Sequence, residues 1–155
     1  MKRAVALLSA LMIVLATAKP APASQPFIQV KTSGIELCPQ FICGSAIFTG
    51  VLFGRVGFNP FALGTFTVAV KHDDLPDPGF DADIRGGGFE LKVGLRRYSG
   101  IVLPFGGTLH ANANNTFNVH ALLWIQDGGS GLMIYDGVLD HNVFPPTIKG
   151  DITQP

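Results

Sequence analysis

Two histidines, His110 and His120, flank the segment ANANNTFNV. Alternation on either side of it reads as a hairpin, with Asn114-Asn115-Thr116 as the turn. That turn sets His110 opposite His120, Ala111 opposite Val119, Asn112 opposite Asn118 and Ala113 opposite Phe117. Two adjacent imidazoles can share a proton or hold a metal. A metal would need a further ligand, and His141 and His72 are the remaining histidines. The expectation is that both histidines face solvent, with an acid/base or metal role as the alternative.

Carboxylates crowd the segment HDDLPDPGFDAD: Asp73, Asp74, Asp77, Asp81 and Asp83. Calcium takes oxygen ligands of this kind, but the spacing does not match the EF-hand loop. Pro76, Pro78 and Gly79 suit a solvated connection between strands. Cys38 and Cys43 are the two cysteines, in the run CPQFIC. In an exported chain they are expected to pair as a disulfide. The four-residue spacer departs from the two-residue spacer of thioredoxin-like redox chemistry. Phe58, Phe61 and Phe105 sit in GFNPFALG and LPFGG. As loop aromatics they are the expected ligand-binding residues at a barrel mouth. Capping of the barrel ends is their structural alternative.

Other chemistry is missing from the sequence. Gly128-Gly129-Ser130-Gly131 runs on into Leu132, which breaks G-x-S-x-G. Gly86-Gly87-Gly88 lacks the Lys-Ser/Thr of a phosphate loop. Glu36 and Glu90 are the sole glutamates, and Glu90 falls on the charged face of its strand, away from any facing glycosidase carboxyl. No cofactor is implied.

Positioning any of these groups falls to strands. Gly, Thr, Val, Ile and Phe come in short alternating runs between Gly/Pro/Asn/Asp clusters, the pattern of an all-β chain. At 65–72, Phe66, Val68 and Val70 share a face; at 89–97, Phe89, Leu91, Val93 and Leu95 do so. Further strands are expected at 27–31, 45–58, 101–103, 131–139 and 147–152, beside the 107–125 hairpin. A single antiparallel β-barrel of about eight strands fits best, because closure removes exposed edges. A two-sheet β-sandwich is the alternative. The 12 phenylalanines, against 1 Trp and 2 Tyr, suit a dry core and are poor material for the aromatic girdles of a membrane barrel.

The N-terminus sets the address. Lys2 and Arg3 precede an apolar run from Ala4 to Ala18, and Ala21-Pro22-Ala23 matches a signal-peptidase site. Residues 1–23 therefore read as a cleavable secretion signal and 24–155 as one domain, secreted or periplasmic. No second stretch is long and apolar enough to span a membrane. The chain has 11 basic and 11 acidic residues, and loss of Lys2, Arg3 and Lys19 leaves a small acidic surplus. No basic stripe suits nucleic acid. The leading expectation is a non-catalytic module that binds a small apolar ligand or a surface protein. An enzyme with a His/Asp site at the barrel mouth, or a structural surface or matrix protein, are the alternatives.

Overall fold

The computed structural model describes residues 28–155. The signal segment 1–23 lies outside them. Eight strands follow in order: β1 (Ile28–Cys38), β2 (Ala46–Val56), β3 (Asn59–His72), β4 (Asp81–Val93), β5 (Arg96–Ala111), β6 (Thr116–Asp127), β7 (Gly131–Asp140) and β8 (Thr147–Thr153). One helical turn, α1 (Gln40–Cys43), joins β1 to β2. Each strand pairs antiparallel with the next, and β8 pairs back to β1. The closed ring is a barrel and not a sandwich. Among the described residues no helix is long and apolar enough to cross a membrane.

Period-two alternation dictates which side chains point inward. On β1 the inward series runs Ile28, Val30, Thr32, Gly34, Glu36; on β6 it runs Phe117, Val119, Ala121, Leu123, Ile125. The outward series carries the charge. Glu90 pairs with Lys92 at 2.8 Å and with Arg97 across the β4–β5 ladder. These cations hold the Glu90 carboxyl below its ordinary range, the Lys92 hydrogen bond first among them.

The two ends of the barrel differ. At the base, β2–β3 and β4–β5 turn within two residues, Gly57-Phe58 and Gly94-Leu95. Gly57 and Gly94 have φ of 60° and 57°, the left-handed conformation that such hairpins demand at their first central residue. The other end carries longer connections: 39–45, 73–80, 112–115 and 141–146.

Three local expectations shift. Gly94 ends β4 at Val93, so Leu95 leaves the expected core face and is fully exposed at the turn. The 107–125 hairpin has a longer turn, closed by a 2.8 Å bond from Asn112 N–H to the Thr116 carbonyl, with Asn115 at φ 57°. His110 therefore faces Asn118, and Thr108 faces His120. The slip is by two residues, so Leu109, Ala111, Phe117, Val119 and Ala121 keep their shared inward face, while Ala113 drops into the loop. Finally, the expected strand at 101–103 and the first arm of the hairpin are one element, β5. It kinks at Phe105, whose φ is 57°.

Candidate functional site

Side-chain size divides the interior into a packed half and a hollow half. Toward the base, Ile28, Leu52, Leu91, Tyr98, Ile125 and Met133 are each no more than 2 % exposed and fill the cross-section. Toward the other end, Val68, Val70, Val119, Ala121, Gly137 and Gly150 leave space between the larger Phe48, Phe66, Leu109, Leu139 and Ile148. A cavity of about 680 Å³ results. That volume falls in the range of roughly 300–1,000 Å³ typical of small-molecule sites.

Tyr135 shapes the wall. Its ring and hydroxyl pass directly over Gly137 and Gly150, where a Cβ would stand 2.3 Å and 2.7 Å from the hydroxyl oxygen. Only glycine leaves room for the phenol to lie flat along the strands. The hydroxyl lies beside Thr32, which donates to the Gly150 carbonyl at 3.1 Å, and makes no well-formed hydrogen bond itself. Burial is the main cause that pushes the Tyr135 phenol up to about 12.

α1 overhangs the mouth, where Pro39, Gln40, Phe41 and Gly44 line the cavity. Two links hold this segment. The Cys38–Cys43 disulfide closes it on itself, for about 2 kcal/mol in the chain-entropy model. The Gln40 amide ties it to the end of β3: Nε2 donates to the His72 carbonyl at 2.8 Å, and Oε1 accepts from His72 N–H at 2.7 Å. Gln40→Ala is expected to lose both bonds, at about 1–3 kcal/mol together. Hydrogen exchange should show the His72 amide exposed while amides in the base strands keep their protection.

Ionisable groups gather on one side of the mouth. Glu36 takes an inward position on β1 and is 8 % exposed. His141, just beyond β7, brings Nε2 to 3.7 Å from Glu36 Oε2, and its ring tilts against Phe117 at 5.1 Å between centroids. The buried Nε2 has no hydrogen-bond partner. Burial raises the Glu36 carboxyl and is the largest cause lowering the His141 imidazole. His72 and Asp74 also line the mouth. Because the folded pKa of Glu36 lies above its unfolded value, folding favours the protonated acid, and stability falls as pH rises through the folded value. Glu36→Gln is expected to melt higher than the native protein near pH ~7, with the gap closing toward pH ~4. Thermal melts across that window check it.

The residues singled out from sequence lie elsewhere. Phe58 and Phe61 stand exposed at the base, and Phe105 lies on the outer wall with the Arg85 guanidinium 4.7 Å from its ring centroid. None of the three lines the cavity. His110 and His120 also face outward, and each bonds a carboxylate: His110 Nδ1 to Asp81 at 2.7 Å, His120 Nδ1 to Asp136 at 2.6 Å. Asp73 is clasped by Arg85 at 2.6 Å and 2.5 Å, and this guanidinium is the first cause holding its carboxyl below the usual range. Asp83 also faces Arg85, at 3.8 Å. Asp74 and Asp77 remain in the 73–80 connection, of which Asp74 reaches the cavity mouth. Among the described residues no three His, Cys, Asp or Glu side chains gather as a metal requires.

Sequence reading named His141 only as a possible further metal ligand, gave Glu36 no role and missed their pairing. The available signal was Glu36 itself, a carboxylate in phase with Ile28, Val30 and Thr32. Comparison with family models, with curated proteins and with solved structures finds no match to this chain.

Proposed function

We propose that this protein is a secreted or periplasmic, non-catalytic carrier whose barrel holds one small apolar ligand. The observation that carries this reading is the hollow half of the barrel: about 680 Å³ walled mainly by Val, Leu, Ile, Phe and Ala side chains and closed at the base. Water gains little in such a space, because it needs two to four polar partners. An apolar body of matching size would regain the dispersion contacts the wall lacks.

The export reading rests on the Ala21-Pro22-Ala23 site and on the Cys38–Cys43 disulfide, a bond that persists in oxidising compartments. The mouth is rimmed by Phe41 and Leu75, and Phe80 and Phe144 stand exposed in connections at the same end. Such apolar side chains ease the passage of a poorly soluble cargo out of water. The two His–Asp pairs sit on the convex outer wall, where an acid/base pair has no enclosed space in which to hold a substrate.

Native mass spectrometry of protein expressed with its signal, followed by organic extraction, tests this reading. One apolar molecule retained per chain is the expected result. A chain that is always empty and takes up no hydrocarbon probe would contradict it.

A further inference from the structure

The polar atoms inside the cavity narrow the class of ligand. Among the described residues that line it, the ionisable groups are Glu36, His72, Asp74, His141 and Tyr135; no Lys or Arg is present. A fatty-acid carboxylate entering this space would find no guanidinium or ammonium to offset its charge, and burying an uncompensated carboxylate is costly. An aliphatic chain with no polar end would leave His141 Nε2 buried and unpaired, and such a group is costly to bury.

A hydroxyl meets both demands. It accepts one hydrogen bond and donates another. Glu36 Oε2 and His141 Nε2 stand 3.7 Å apart, too far for a good hydrogen bond with each other and close enough for one small group to reach both. His141 Nε2–H would donate to the hydroxyl oxygen, and the hydroxyl would donate a hydrogen bond to Glu36 Oε2.

We propose that the ligand is a neutral alcohol: an apolar body that fills the cavity and ends in one hydroxyl held between Glu36 and His141. This rests on the apolar-ligand reading above and specifies its head group. Burial of His141 adds to this, since it disfavours a charged imidazole that could offset a carboxylate. Asp74 at the mouth adds a further acidic side chain.

Calorimetric titration of the native protein with dodecanol, dodecyl methyl ether and sub-micellar dodecanoate at neutral pH tests the proposal. The three probes share one chain and differ at the head: donor and acceptor, acceptor alone, and anion. Dodecanol is expected to bind at least tenfold more tightly than either of the others. Glu36→Leu should bring dodecanol and its ether to equal affinity. Dodecanoate or the ether binding as well as dodecanol in the native protein would overturn the hydroxyl assignment while leaving the apolar-ligand reading intact. Failure of all three to bind would overturn that reading and the assignment with it.

Discussion

Ala121→Trp is expected to abolish uptake of an apolar probe while leaving the barrel folded. Ala121 is an inward residue of β6, 4 % exposed, on the cavity wall. Its neighbours across the two ladders are Gly107 and Tyr135. The new ring must occupy the space the ligand would take. A loss of affinity of roughly a hundredfold or more corresponds to about 3 kcal/mol of lost binding. The stability cost should be modest, about 1–3 kcal/mol if some neighbours must shift, because the cavity receives the added volume. Trp124, the single native tryptophan, stands partly exposed on the outer wall. A blue-shifted second component in the emission of the variant would show its indole in an apolar interior. Retained affinity with that blue shift present would place the ligand elsewhere.

The base should respond in the opposite sense. Leu91→Ala is expected to cost about 2–5 kcal/mol, with a fall in Tm of roughly 10 °C. Leu91 is 1 % exposed in the packed half, beside Tyr98 across the β4–β5 ladder. Its removal leaves a void among side chains that cannot collapse. Val70→Ala, in the hollow half, should cost distinctly less. One side of Val70 already faces the cavity, so fewer dispersion contacts are lost there. Denaturant melts of the two variants give the comparison directly. Equal losses at both positions would mean that the interior is filled uniformly.

These two results probe a division that the sequence conveys only in part. The alternation at 65–72 foretold the inward face of Phe66, Val68 and Val70, because it is a property of one strand, whereas the choice of a barrel over a sandwich rests on the pairing of β8 with β1. The faces of the 107–125 hairpin also survived a two-residue slip in register, since a slip of two preserves parity. What was not legible depends on neighbours that only the register brings together. The flat seat for Tyr135 needs Gly150 from β8 beside Gly137 from β7. The Glu36–His141 pair joins the end of β1 to the β7–β8 connection.

Phe58, Phe61 and Phe105 read from sequence as ligand contacts because loop aromatics often rim a mouth. Gly57 makes a tight base turn instead, and the kink of β5 at Phe105 leaves that side chain on the outer wall under Arg85. The strand ending at 31 in the sequence reading stopped short of Glu36. Carried on to Cys38, the same alternation places that carboxylate inside. Likewise, Asp81 and Asp83 belong to the outer face of β4, where His110 and Arg85 partner them, and only Asp73, Asp74 and Asp77 stay in the acidic connection.

Methyl-resolved NMR during titration with dodecanol tests the central claim most directly. A closed barrel that is hollow at one end predicts saturating shifts at one ligand per chain. They should be confined to methyls that line the cavity, Val68, Val70, Leu109, Val119, Leu139 and Ile148 among them, with Ile28, Leu91 and Met133 at the base unmoved. Shifts that never saturate, or that fall on outward-facing Val51 and Leu63, would contradict it.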